Sequence, residues 1–549
     1  MRTKTLVSVI SVIAGATLLI ASVTAASGAS SAKSATPQKG GTLKYLVPEQ
    51  VFEDSDPGLA YDTLTWTMLQ ATTQTLLNYP EAAGDAGTKL YPEAAEAFPK
   101  VSSDGKTYIF TVRKGLKFSD GSAVTAASFK REIDRLLSPK MGGGSPVGVN
   151  LDLQSLFAGG QTFLDGKSQT ISGIKAVGQV LTIKLNRPEP AFPAILAMRW
   201  FAAVKADMPY SEEGLATYPS SGPYYLAENV KDQSKLLKRN KFYTGKRPAY
   251  PDEIVFLENL DENAALLQVK QGSADFTTPP GPEMGKLAAQ FGVNKGRFFV
   301  GPTQCNIYLA LNMAAGRVTA DLKIRKAINW AIDRPALIRV AGALAGKRDT
   351  QILVPGVPGY SPFQAYSWKG ANVGVAKKVS GGSNATLTYV HRTSASAVAA
   401  AQVIQYNLQQ AGFTVKLVPI ASRSAYYGVV GTKGADFDVL RAGWCADYSD
   451  PFDWFNVLMA GSLIQDKNNV NLSYTDVPAF NKKLAAAASL SGDARIAAYR
   501  KLDPDTMYNY LPWAPVYVLN SRFFVSARTK NVIYSPYYTE PFINAMAVK

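Results

Sequence analysis

Phe437-Asp438-Val439-Leu440-Arg441-Ala442-Gly443-Trp444-Cys445-Ala446-Asp447-Tyr448-Ser449-Asp450-Pro451 is the stretch on which the reading of this chain turns. Phe437 to Leu440 is mostly apolar and β-prone, which predicts a short buried strand. Gly443 lets the backbone turn or approach a neighbour closely. A large aromatic (Trp444), a cysteine (Cys445) and two acids (Asp447, Asp450) follow, and Pro451 stops regular continuation. A strand ending this way is either the wall of a ligand cleft or a core strand followed by a polar turn. Pockets are mostly apolar with a few placed polar groups, so residue types alone leave both readings open.

Working outward, Phe98 to Phe129 is the next informative block. Ser103-Asp104-Gly105 predicts a hairpin turn and Tyr108 to Val112 a strand. Phe118-Ser119-Asp120-Gly121 predicts a second turn, and Thr125 the cap of a helix. Ser221-Gly222-Pro223-Tyr224, then Asn240, Tyr243 and Gly245, then Gly272-Ser273-Ala274-Asp275 recur as turn and cap signals downstream. Ile324 to Arg334 spaces its Ile and Ala residues as a core-facing helical stripe.

Taken together with Arg-Ala-Gly-Trp-Cys-Ala-Asp-Tyr at 441–448, these segments resemble the family 5 extracellular solute-binding proteins of ABC importers, and most closely the oligopeptide-binding members. Two positions depart from the pattern: Ser128 stands where aspartate is usual, and Ser220 where the first glycine of a Gly-x-Gly-Pro-Tyr turn is usual. The resemblance implies a two-lobed α/β periplasmic-binding-protein fold of class II type, with an extra small domain on the first lobe. It implies a peptide held between lobes that close by a hinge, delivery to a membrane permease driven by separate ATPase subunits, a monomer, and no cofactor. By the same resemblance Asp447 holds the α-amino group of a peptide, Arg441 meets a peptide carboxylate, and Tyr448 belongs to the ligand site. Trp444, Tyr426, Tyr427 and Tyr517 are candidate aromatic walls, since flat rings accept varied side chains; for each tyrosine a core position is the competing reading.

Tyr61 to Leu77 reads as a helix, Gly40 to Leu46 as the opening strand, and Leu136 to Gly178, with Gly142-Gly143-Gly144 at its centre, as loops with little core. Ala385 to Tyr389, Ala395 to Gln410 and Thr414 to Pro419 read as strand, helix and strand, which suggests an α/β lobe with a right-handed crossover. Ile496 to Tyr510 reads as a helix and Pro515 to Leu519 as a strand. The expected division is a signal at 1–26, a leader at 27–39, the first lobe at 40–80, 195–302 and 519–549, the extra domain at 81–194, and the second lobe at 303–518.

At 549 residues the chain is too long for one core. It is 46% hydrophobic and 18% charged, as a folded soluble protein should be. The net charge of +16 comes from scattered Lys and Arg with no run of five, so the charge reads as a solvated surface and not as a nucleic-acid footprint. Arg2 and Lys4, the apolar run Leu6 to Ile20, and Val23-Thr24-Ala25 fit a secretory signal. The expected product is exported, periplasmic or extracellular, with no lipid-anchor cysteine beside the cleavage site. Only Cys305 and Cys445 are present. An oxidising compartment favours a pair over two buried free thiols, and the resemblance points the same way. A roughly 140-residue loop so closed is stabilised by at most about 5 kcal/mol.

Enzyme chemistry finds little to work with. His391 is the only histidine, so a three-histidine metal site is excluded, and no Cys-x-x-Cys motif, P-loop or Gly-x-Ser-x-Gly elbow occurs. The expected function is oligopeptide capture for import. The alternatives are the same scaffold with another solute, such as an oligosaccharide or metal chelate, and a secreted hydrolase built on an acid pair such as Asp447 and Asp450.

Overall fold

The computed structural model describes residues 37–48, 52, 54–141, 151–366 and 369–549. The expected signal, leader residues 27–36 and the Gly142–Gly144 triplet lie outside them. Among the described residues no helix is long and apolar enough to cross a membrane.

Two long strands, Phe298–Leu311 and Trp513–Val525, organise the molecule. They pair antiparallel from Phe298↔Phe524 to Ala310↔Trp513, and the register slips between Pro302 and Asn306. Beyond the slip on one side, Trp513–Val525 continues through Phe276–Thr277, Thr42–Pro48, Glu253–Leu260, Ser234–Arg239 and Tyr224–Val230. On the other side, Phe298–Leu311 continues through Val439–Cys445, Thr386–Arg392 and Thr414–Ile420. The result is a mixed α/β sheet whose two halves share only these long strands. A separate four-stranded sheet joins Lys100–Val101, Thr107–Thr111, Val180–Lys184 and Ile174–Val177.

The second half of the sheet is an α/β layer. Thr386–Arg392 and Thr414–Ile420 pair parallel across the helix Ala395–Gln410, as a crossover requires. Leu309, Leu387, Tyr389, Val439 and Val516 pack on that helix and on Leu322–Ala331. Tyr308, Ala310, Leu440, Ala442 and Trp513 point the other way and pack with Trp454. The alternation is the two-residue period of strand side chains. Asp261 and Gly272, in left-handed conformation at φ 82°, bound the helix Glu262–Gln271.

Several local expectations shift. The deciding strand runs Val439–Cys445 and carries straight through Gly443. A β-carbon there would sit 2.7 Å from Ile307 Cδ1, so this glycine serves close approach and not a turn. The helix expected from Tyr61 to Leu77 is only Thr63–Thr72. Asp62 caps it by accepting the Thr65 N–H at 2.8 Å, and at its other end Gly222 abuts Thr72 so tightly that a β-carbon would clash. Leu77 belongs instead to the strand Leu77–Asn78. Leu136 to Gly178 is not core-poor: Leu153, Leu156, Phe157, Phe163, Ile171 and Ile174 are buried. Gly160 and Gly173 serve packing: a β-carbon on either would come within 2.6 Å of a carbonyl oxygen, of Gln154 and of Ala158 respectively. The helix expected to start at Ile496 is Gly492–Asn509. Ser128, the departure in the second motif, completes a capping box: its Oγ accepts the Thr125 N–H at 3.2 Å at the start of Ala126–Leu137.

Cys305 and Cys445 face each other in the antiparallel register and form a disulfide. Thiol labelling of denatured, unreduced protein is expected to give no signal; two labelled cysteines would disprove the bridge.

Candidate functional site

The residues after the disulfide turn away from the sheet and run Asp447-Tyr448-Ser449-Asp450 into the helix Pro451–Met459. Asp450 caps this helix through the Phe452 N–H at 2.8 Å, and Pro451 occupies its first position, where a missing N–H costs nothing. Asp450 also takes a two-pronged ion pair from Arg495 at 2.7 and 2.8 Å. It is a structural residue.

Asp447 is held differently. Its residue is 7% exposed. Its Oδ2 accepts the hydroxyl of Tyr61 at 3.2 Å, and its carbonyl accepts that of Tyr537 at 2.7 Å. Among the described residues no lysine or arginine forms an ion pair with it. Burial pushes its carboxyl up from the ordinary aspartate range to about 7, with the Tyr61 hydrogen bond acting in the opposite direction. A buried carboxylate without a cation is costly, and it gains most from one that enters with a ligand.

Asp453, in the first turn of Pro451–Met459, is fully buried. One oxygen, Oδ2, accepts both the Trp444 indole N–H at 3.1 Å and the Asp447 main-chain N–H at 3.0 Å. Burial first, and then the charge of Asp447, raises its carboxyl well above the usual range.

The opposite wall comes from remote segments. Tyr61 precedes its helix and stacks edge-on against Trp200, with ring centroids 4.8 Å apart. Ala60, beside it, accepts indole N–H groups from Trp200 at 2.6 Å and Trp66 at 3.2 Å. Tyr79 and Tyr537 pack at 4.2 Å, and the Tyr79 hydroxyl accepts the Ser449 N–H at 3.1 Å.

The structure divides the expected site residues into two groups. Trp444 and Asp447 are brought together through Asp453. Arg441 lies on the other face of the strand, where its guanidinium donates to the Tyr517 hydroxyl at 3.3 Å, and Tyr426 donates to the Arg441 carbonyl at 2.9 Å. Tyr426 and Tyr517 are buried, whereas Tyr427 is 40% exposed. Tyr448 is wholly buried, and its hydroxyl has no partner among the described residues. Sequence reasoning missed Tyr61, Tyr537 and Asp453. The Asp450-Pro451 cap signal places Asp453 in a first helical turn facing back along the chain; nothing local marks the two tyrosines. The one histidine, His391, sets Nδ1 2.8 Å from the Arg392 carbonyl, and no group of three metal-ligating side chains is found among the described residues.

A family model described as bacterial extracellular solute-binding proteins, family 5 Middle, matches residues 89–464. The glutathione-binding protein GsiB of Escherichia coli (strain K12) is 26% identical over 493 residues, covering 88% of this chain and 89% of that protein. The periplasmic murein peptide-binding protein MppA of the same strain is 28% identical over 441 residues, covering 76% and 78%. Among solved structures, clavulanic acid biosynthesis oligopeptide binding protein 2 superposes with a TM-score of 0.85 at 19% identity, covering 94% of this chain and 96% of that one. The periplasmic binding protein DppA from Helicobacter pylori, in complex with peptide STSA, gives 0.77 at 20% identity, covering 93% and 98%. These structural likenesses carry the fold, the two-lobed class II α/β arrangement.

Proposed function

The chain belongs to the bacterial extracellular solute-binding proteins of family 5, and we propose that it captures oligopeptides for an ABC importer. The observation that carries this reading is Asp447: a buried carboxylate, without a paired cation among the described residues, closed over by Tyr61 and Tyr537. Every unmodified peptide carries an ammonium group at a fixed place, so one such acid anchors any sequence. Trp444 and Tyr448 flank the anchor. Arg441, with Tyr426 and Tyr517 around it, takes the carboxylate end of short peptides. The relatives named for murein peptide and oligopeptide binding support the same ligand class.

In this reading the second lobe spans 303–518, the first lobe 40–80, 195–302 and 519–549, and the extra domain 81–194. The register slip between Pro302 and Asn306 is where the two lobes hinge. The protein is an exported monomer that performs no chemistry on its ligand. Its liganded, closed form docks on a membrane permease whose ATPase is a separate chain.

Native mass spectrometry of protein purified from its host tests this. Co-purified peptides, unchanged after long incubation, are the expected result. An oligosaccharide or metal chelate would replace the ligand class, and conversion of ligand to product would replace the binding reading with a hydrolase.

A further inference from the structure

We propose that Asp453 is the positioning residue of the amine anchor: one carboxylate oxygen fastens the Trp444 indole and the Asp447 main chain, so aromatic wall and acid are presented as one unit. This rests on the reading of Asp447 as the anchor.

The geometry carries it. Trp444 ends a strand, Asp447 sits in the turn after it, and Asp453 opens the next helix. Asp453 ties these three elements directly to one another. Oδ2 of Asp453 accepts from Trp444 Nε1 at 3.1 Å and from Asp447 N at 3.0 Å, and the side chain is fully buried. The disulfide fixes the strand end one residue after Trp444, but constrains neither the indole ring nor the peptide plane carrying the Asp447 N–H; the Tyr537 hydroxyl holds only the next plane, at the Asp447 carbonyl. A buried acceptor with two donors removes both freedoms. Such preorganisation is how a binding site avoids paying ordering entropy at the moment of capture.

The groups facing this acid are known. Asp447, Asp450, Tyr61, Tyr79 and Tyr448 surround it, and Asp450 is already neutralised by Arg495. Among the described residues no lysine or arginine forms an ion pair with Asp453, so it is not needed as a counter-ion. Its role is to accept hydrogen bonds. An amide oxygen can do the same, and that separates positioning from charge.

The experiment compares binding of a defined tripeptide mixture with the same mixture N-acetylated, read by native mass spectrometry. Wild type, Asp453→Ala and Asp453→Asn are each first checked for an intact disulfide and an unchanged thermal transition; a variant that fails to fold is replaced by Asp453→Ser. Wild type is expected to prefer the free-amine mixture. Asp453→Ala (or Ser) should lower that preference about tenfold or more, the scale of losing two buried hydrogen bonds. Asp453→Asn should restore it to within about threefold of wild type. A preference unchanged in Asp453→Ala, or both mixtures weakened equally, overturns the positioning role while leaving the Asp447 anchor standing. No rescue by asparagine overturns it as well. If wild type itself shows no preference, the anchor reading fails first and this inference falls with it.

Discussion

Asp447→Ala is expected to weaken capture of free-amine peptides about 30-fold to several thousand-fold. The range follows from truncating one member of a buried charge pair, which costs about 2–5 kcal/mol because the other charge is left unpaired. Asp447 is buried, Tyr61 and Tyr537 close over it, and among the described residues no cation pairs with it. N-acetylated peptides should lose a comparable amount on the native protein, because the same pair is broken from the ligand side. Calorimetry with both tests the anchor twice. If the variant and the acetylated peptides bind as tightly as the native pair, Asp447 is not the anchor. The empty protein supplies an independent check. Burial raises this acid from 3.8 to about 7, so between those values the folded state holds a proton that the unfolded state has released. Native stability therefore falls as pH rises through that window. Alanine removes this penalty, and empty Asp447→Ala is expected to melt no lower than wild type at pH 7. Its loss of binding then cannot be ascribed to unfolding.

The acid proposed as the anchor stood out in the sequence because the residues around it are local. Asp447 sits in an eight-residue motif, and the helix cap at Asp450-Pro451 is a sequence signal with a known mechanism. The crossover Thr386–Ile420 was legible for the same reason: alternation, a helical period and a glycine stop at Gly412 all lie within one short segment. What opposes the anchor was not legible. Tyr61 lies 386 residues away in sequence from the acid it touches. It was expected inside a helix, and it is free to reach Asp447 only because Asp62 starts that helix two residues later. The placement of Arg441 follows strand parity. Arg441 and Trp444 share a motif, but odd and even residues of a strand point to opposite faces. The core under 151–178 was hidden because its glycines were read as breaks in packing, while Gly159, Gly160 and Gly173 are points of close packing.

Arg135→Met is expected to destabilise the protein by about 3–5 kcal/mol, the cost of stripping the partner from a buried ion pair. Arg135 lies on the helix Ala126–Leu137, its side chain completely buried, and so are those of Asp56 and Glu132. Its guanidinium donates to both oxygens of Asp56 at 2.6 and 2.9 Å, to Glu132 at 2.8 Å and to the Pro209 carbonyl at 3.0 Å. Methionine fills similar volume but leaves the two carboxyls without the cation that bridges them. Burial already holds Glu132 at about 7, with Arg135 the main opposing influence. Without the arginine the Glu132 carboxyl must rise further, so the folded state retains a proton that the unfolded chain loses, and the variant's deficit should grow as pH rises from 5.5 to 8. Urea unfolding at the two pH values reads this directly. Adding Asp56→Asn and Glu132→Gln to Arg135→Met should recover most of the loss at pH 8, since no uncompensated charge remains. A single variant within about 1 kcal/mol of wild type at pH 8 contradicts the assignment. The same triad bears on capture. Asp56 also accepts the Gly58 N–H at 2.9 Å and the Leu215 N–H at 3.2 Å, which fixes the loop running to Ala60 and Tyr61. Releasing that loop should loosen the Tyr61 hydroxyl from Asp447, so Arg135→Met should also bind peptide more weakly at temperatures well below its unfolding transition.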